Sequence, residues 1–431
     1  MKPTVKFFVA AALLYIAIGN AGGADWSQWR GPNRDGISDE TGLLKKWPAE
    51  GPKELWRIPI GEGLSGISVS NGKVYTMVAE GNDESVVCLD AANGNEIWRF
   101  RTDDFYSESQ GGNGPRSTPT IDGEMLYTVS AFGKLCALNA NTGDELWHHD
   151  FQREFGSKMP RWGYCMSPIV EGDLLLVEVG GKGDRSIIAF NRKSGEIAWT
   201  TQKDIAGYAS PITIDVYGIR QTLFFTGTKL VSVSPEDGRF YWDYPWTTSY
   251  DANAATPVFI PPDKVFISSG YGTGAAVMQI KTFISREDKT DIVAQISNNR
   301  GKIKVEEVWK NKGMKNHFAS SVLCNGYLYG FDNSILKCIE ASTGQEQWKT
   351  RGFGKGTLML AHGHLIILSD NGKLALAEAT PTELSEIATA QVLEGLCWTA
   401  PTLAGGKLYL RNETEMVCLD ITGRSVKISN P

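Results

Sequence analysis

Three things are missing from this sequence, and each removes a class of function. There is no basic tract: the formal charge is −6 and the pI about 5.6. Nucleic-acid affinity rests largely on cations set against phosphates, so that partner is not expected. There is no apolar run of membrane-spanning length. The longest, Phe7–Ile18, is twelve residues, short of the ~20 a spanning helix needs. It follows Lys2 and Lys6 and precedes the small residues Ala21–Ala24, the pattern of a signal peptide over residues 1–24 with cleavage near Ala24. The chain is therefore expected to be periplasmic or secreted, with no transmembrane segment after cleavage and no lipid-anchoring cysteine at the cleavage site. Finally, seven cysteines include no adjacent pair and no CxxC, so they do not form a readable disulfide or metal framework.

What is present is a phrase of eleven residues. It reads ALNANTGDELW at Ala137–Trp147, CLDAANGNEIW at Cys88–Trp98 and AFNRKSGEIAW at Ala189–Trp199. It returns as SVSPEDGRFYW at Ser232–Trp242 and CIEASTGQEQW at Cys338–Trp348, and ends truncated as CLDITG at Cys418–Gly423. In each complete copy a glycine stands four residues before the tryptophan. The glycine suits a tight turn with positive φ, and the tryptophan arrives at one register of the following strand. A large aromatic recurring once per repeat is predicted to pack on the neighbouring repeat. Cys88, Cys338 and Cys418 open the phrase where Ala137 and Ala189 stand in other copies, which makes them small buried strand residues.

The stretch before each phrase repeats too. Ahead of Trp147 lie a strand start at Arg116–Ile121, the turn Asp122–Gly123, an alternating run at Glu124–Ser130 and a second turn at Gly133. Strand-start signatures recur at Ser167–Pro168, Ser210–Pro211, Thr256–Pro257 and Ala400–Pro401. Each unit is thus four short strands, and Trp98, Trp147, Trp199 and Trp242 are 49, 52 and 43 residues apart. That unit at that period predicts an all-β, eight-bladed β-propeller of four-stranded antiparallel blades. Seven blades remain the alternative, because the unit at Gly354–Val392 has no tryptophan.

The ends complete each other. Glu54–Ile58 carries Trp56 with no strands before it, and the last unit, Cys397–Gly423, stops before its tryptophan. An N-terminal strand completing the last blade is expected, within a propeller domain over residues 54–431. Residues 25–53, with WSQWRGPNRDG, are expected to form a strap against the ring, or else a loosely ordered leader. An insertion near 280–304 accounts for the 67 residues between Trp242 and Trp309. The structural docking set is then Trp56, Trp98, Trp147, Trp199, Trp242, Trp309 and Trp348.

The phrase A-x-D-x-x-T-G-x-x-x-W resembles the tryptophan-docking motif of quinoprotein-type, PQQ-like propellers, a superfamily that includes PQQ-dependent alcohol dehydrogenases and the assembly factor BamB. The resemblance covers Glu54–Gly423. The opening WSQWRGP and the ending CWTAPTLAGGKLYLRNETEMVCLD look like a bacterial branch of which some members carry a polyvinyl-alcohol-dehydrogenase label. The resemblance implies the fold strongly and the function weakly, because the motif describes blade packing. For the dehydrogenases it implies calcium held by acid and amide side chains, an aspartate base and an arginine near the quinone. Asp251, Asn253 and Arg116 are the residues here that would serve. The adjacent-cysteine disulfide and the C-x-x-C-H haem motif are absent.

Other chemistry is thinner. His362-Gly363-His364 falls where other units have a glycine turn and reads as one. His148 and His149 follow a tryptophan on an outer strand and are expected to be exposed. Gly111–Gly114 opens a strand, not a helix, and so is no phosphate loop. What differs from unit to unit is the start of the innermost strand, at the mouth of the central channel: Arg116, Trp162, Tyr164, Tyr208, Asp251, Asn253, His317, Lys355 and Trp398. These residues form a ligand site or a polar plug; both readings stand. Two functions follow. One is a non-catalytic, monomeric binding or scaffolding propeller for an unknown protein, small-molecule or sugar partner, with no cofactor expected. The other is a dehydrogenase acting on an alcohol or sugar with PQQ and calcium.

Overall fold

The computed structural model describes residues 25–282 and 303–423; the proposed signal peptide and the body of the insertion lie outside them. Eight antiparallel sheets follow one another along the chain in a ring. Blade 1 comprises Ser68–Ser70, Lys73–Glu80, Asp83–Asp90 and Glu96–Asp104, ordered from the channel outward. The innermost strands of blades 2 to 8 begin at Thr120, Ile169, Ile212, Val258, Val322, Thr357 and Thr402. The middle strands are covered on both faces by neighbouring blades, so Lys73–Glu80 is buried almost throughout, whereas the outer strand Glu96–Asp104 is largely solvated. Helix is confined, among the described residues, to Phe151–Phe155 and a 3-10 turn at Ser249–Asp251.

The repeated phrase joins each blade to the next. The indole Nε1 of Trp98 donates to Ala140 O of blade 2 (3.2 Å), and Trp147 donates to Arg192 O of blade 3 (3.2 Å). Trp56, Trp199, Trp309 and Trp348 do the same to Ala91, Pro235, Ala341 and Thr380. The glycine of the receiving phrase lies under the ring: a Cβ on Gly143 would stand 2.7 Å from Trp98. An indole covers roughly 150–250 Å², so each contact is worth on the order of 4 kcal/mol at ~25 cal/mol/Å². Trp242 departs from the pattern. It is buried, yet donates to Gln221 Oε1 of its own blade (2.8 Å). The reason lies in blade 5, where the hairpin Gly274–Thr282/Ile303–Asn311 carries the insertion in place of the glycine turn. In blade 7 the tryptophan register, one residue from the bulge, is held by Ala388.

The Ser/Thr-Pro strand starts are stitches. Ser65 Oγ donates to Ser117 O of the next blade (2.6 Å), Ser117 Oγ to Met166 O (3.0 Å), and Ser210 Oγ accepts from Ser167 N (2.9 Å). At the seam, Thr399 Oγ1 donates to Leu64 O (3.2 Å) and Thr402 Oγ1 to Ile67 O (2.8 Å). A small hydroxyl here satisfies a carbonyl or an N–H that the narrow inner end of a blade leaves unpaired. The seam itself is closed by Lys53–Pro59, antiparallel to Glu415–Asp420 with Trp56 opposite Cys418. The buried Arg411 crosses to Thr76 Oγ1 and Met77 O of blade 1.

Residues 25–44 touch all eight blades. Trp26 bridges to Val69, and Ile121 N donates to Ser27 O. Arg34, fully buried, donates to Ser167 O and Pro168 O of blade 3 and Pro211 O of blade 4. Trp29 Nε1 donates to Thr256 Oγ1 of blade 5 (2.8 Å), and Arg30 to Ser321 O of blade 6 (2.7 Å). Ile37–Ser38 adds a fifth, parallel strand to the four antiparallel strands of blade 7. Glu40 accepts from Gly405 N and Gly406 N of blade 8. The segment closes the channel at the end where the innermost strands finish.

Candidate functional site

The end where the innermost strands begin is open, and a cavity of about 480 Å³ occupies it. Its wall has a simple construction. Counting back three residues from the strand-start proline, or from its structural equivalent, gives Leu64, Arg116, Cys165, Tyr208, Ala254, Phe318, Lys355 and Trp398, one from each blade. All eight line the cavity. One register therefore faces the channel from every blade, and in blades 1, 2 and 8 the next residue, Ser65, Ser117 or Thr399, supplies a stitching hydroxyl.

Of the nine residues expected at the mouth, Arg116, Trp162, Tyr208, His317, Lys355 and Trp398 line this cavity. Tyr164, Asp251 and Asn253 do not. Tyr164 and Asn253 stand one residue before the wall register and are held by neighbours inside the blades, whereas His317, at the same offset in blade 6, does line the cavity. The Tyr164 ring packs on Phe151 and its hydroxyl bonds Ser157. The Asn253 amide donates to Thr226 O, Gly227 O and Trp246 O and accepts from Ser269 Oγ. Asp251 sits exposed on the 3-10 turn.

Sequence reasoning missed Trp29, Arg161, Cys165, Tyr250, Tyr271 and Phe318, which also line the cavity. The wall register would have found Cys165; Phe318, with no proline three residues on, carries no such mark. Arg161 adjoins Trp162 in sequence, and Tyr250 and Tyr271 sit in turns at positive φ, 67° and 54°, which gave no signal in a chain rich in turns.

The wall is aromatic and cationic. Trp162 lies nearly parallel to Tyr271, with centroids 6.1 Å apart, and edge-on to Tyr250 at 5.9 Å. The arc continues from Tyr271 to His317 (5.0 Å), Phe318 (5.7 Å) and Trp398 (4.6 Å). Arg161 covers the faces of Trp162 and Tyr250, and Lys355 Nζ stands 5.8 Å from the Trp398 ring, geometry that favours the cation. Arg116 donates to Gly112 O and Gly114 O, shaping the Gly111–Gly114 loop. None of these three cations has an ion pair with a described carboxylate, and no Asp or Glu lines the cavity. Burial, then the Lys355 charge, lowers the His317 pKa to about 4, so the ring is neutral at pH 7. His317 Nδ1 and Trp398 Nε1 have no hydrogen-bond partner among the described residues. Burial also pushes the Cys165 thiol up to about 11.

The other sequence candidates fall elsewhere. His362 takes positive φ in a hairpin turn, with His364 Nδ1 on its carbonyl. His148 is exposed, but His149 stacks on Phe190 at 4.6 Å and is half-buried, contrary to expectation. No group of three or more His, Cys, Asp or Glu side chains among the described residues is placed to hold a metal.

The architecture and its blind, aromatic-walled mouth define an eight-bladed propeller of the PQQ-like class. The family model described as outer membrane protein assembly factor BamB matches residues 82–350, and the chain belongs to that family. It is 23% identical over 281 residues to the assembly factor BamB of Moranella endobia, covering 64% of this chain and 65% of that protein. It is 25% identical over 161 residues to the quinoprotein alcohol dehydrogenase PedH of Pseudomonas putida, covering 35% of this chain and only 25% of PedH. Among solved structures, BamB of Moraxella catarrhalis superposes with a TM-score of 0.60 at 13% identity, over 86% of this chain and 98% of that one. The quinohemoprotein alcohol dehydrogenase of Comamonas testosteroni gives 0.61 at 11% identity, over 94% and 82%. At those identities the structural likeness concerns the fold.

Proposed function

We propose that this chain is an exported, non-catalytic binding propeller whose channel mouth takes a small, ring-bearing anion. One observation carries the reading: three cations without carboxylate partners share a cavity with an arc of aromatic faces. The cations offer charge-assisted hydrogen bonds to an anionic group, and the rings offer stacking surfaces. The volume falls within the ~300–1,000 Å³ of small-molecule sites. Export is supported by the N-terminal leader pattern and by the BamB relatives. No helix among the described residues is long and apolar enough to cross a membrane.

The quinoprotein reading draws on PedH and the shared fold. Its calcium would need several oxygen ligands, carboxylates among them. The mouth presents no carboxylate, and Asn253, whose Oδ1 would be the ligating atom, is buried off the cavity with that oxygen already accepting from Ser269 Oγ. These residues do not fit a calcium-held quinone.

The test is titration of the purified protein with naphthalene-2-carboxylate, and separately with PQQ and calcium in the presence of an artificial electron acceptor. Binding of the naphthoate that weakens with salt and falls about tenfold in Lys355→Ala or Trp398→Ala is expected. Calcium-dependent turnover that disappears in Asp251→Ala would restore the dehydrogenase.

A further inference from the structure

The floor of the cavity does not belong to any blade. It is Trp29, contributed by the segment that closes the channel from below. Trp29 also lines a second space, a void of about 10 Å³ bounded by Trp26, Gly66, Thr118 and Met359. Trp29 is therefore a partition between the mouth and the packed interior of the channel.

We infer that Trp29 is the residue that sets the depth of the site, and so limits the length of the ring system the mouth accepts. The inference rests on the reading of the mouth as a site for a ring-bearing anion. The partition is held rigidly. Its Nε1 donates to Thr256 Oγ1 at 2.8 Å. The next residue, Arg30, donates to Ser321 O and Asp35 O, and Arg34 is bonded to carbonyls of blades 3 and 4. On the other side, Trp26 exchanges backbone hydrogen bonds with Val69, both 2.9 Å. The backbone beneath the cavity is anchored on both flanks without help from the indole, so depth is controlled by the side chain at position 29. A smaller residue would join the mouth to the space beneath and leave the anchors in place. The cations stand on the wall, not the floor, so capture of the anionic end is separable from the depth available to the rings.

The experiment is calorimetric titration of the full mature chain with benzoate, naphthalene-2-carboxylate and anthracene-2-carboxylate, in the wild type, Trp29→Ala and Trp29→Phe. The wild type is expected to gain affinity from one ring to two and none from two to three. Trp29→Ala is expected to gain about tenfold on the three-ring acid relative to the two-ring acid, the scale of burying one more ring edge. Trp29→Phe should fall between, and it answers the question alone if the alanine variant does not fold. The same order of affinities in all three proteins overturns the inference and leaves the mouth reading standing. Failure of the wild type to bind any of the acids overturns both.

Discussion

Gly143 shows at a single residue how this fold constrains its sequence. It takes φ of +79° and a Cβ there would meet Trp98 at 2.7 Å, whereas Gly123, at φ of +61°, has open space around it. Alanine at Gly123 should cost about 1 kcal/mol, for the backbone alone. Alanine at Gly143 must also displace an indole, and roughly 2–4 kcal/mol is expected. Thermal or urea unfolding of the two variants separates the terms, and equal losses would show that the turn, not the inter-blade contact, fixes this glycine. Both demands fall on the same glycine, which is why the phrase was so legible. The site residues were less legible for a related reason. Tyr164 and Asn253 attract attention by their chemistry, but both are buried and bonded within the blades, away from the cavity. Cys165 and Phe318 are on the wall register and are chemically plain. The proline three residues on was the better guide for Cys165, while Phe318 has Ser321 at that spacing and carried no such mark.

Among elements, the strands carry a cost that the repeat hides. Glu84, on the third strand of blade 1, is fully buried; its carboxyl accepts from Ala131 N at 3.3 Å and from Thr102. Burial raises its pKa from 4.5 to about 8, with Asp103 adding to the shift and Arg116 opposing it. The folded chain therefore holds a proton between about pH 4.5 and 8 that the unfolded chain has released. The contribution is stabilising below pH 4.5 and is lost as pH rises through 8. Glu84→Gln should remove this dependence and raise stability at pH 8 by on the order of 1–3 kcal/mol relative to wild type. Unfolding at pH 5, 6.5 and 8 in both proteins measures it, and parallel profiles would exclude the assignment. At this scale the blade count was readable because strand and turn patterns persisted even where Ala388 replaces the tryptophan. The internal bond of Trp242 was not readable, since it depends on what the next blade fails to offer.

For the whole molecule, the decisive feature is that residues 25–58 do two mechanical tasks. Residues 25–44 plug one end of the channel with contacts to every blade, and Lys53–Pro59 closes the ring. The sequence showed the second through the complementary truncations at Trp56 and Gly423. It suggested a strap against the ring but not where that strap binds, because polar groups on blades 2 to 6 converge on Trp29, Arg30 and Arg34 only once the ring exists. The two tasks are separable by deletion. Removing 25–44 opens the channel and strands the carbonyls that Arg30 and Arg34 satisfy, at about 1–3 kcal/mol for each buried group left unpaired. The only strand it removes is the two-residue Ile37–Ser38, which uncovers a short inner edge of blade 7 facing the channel, so the protein should stay soluble with a melting temperature lowered by at least roughly 5 °C. Removing 25–58 also strips Glu415–Asp420 of its partner and exposes a hydrogen-bonding edge, a template for pairing between chains. That variant should self-associate as well as melt early. Size-exclusion chromatography with light scattering, alongside thermal melts, distinguishes the two. Were the longer deletion to remain monomeric with an unchanged melting temperature, the closing strand would carry none of the ring's stability, and the seam between blades 8 and 1 would have to be held by Arg411, Thr399 and Thr402 alone.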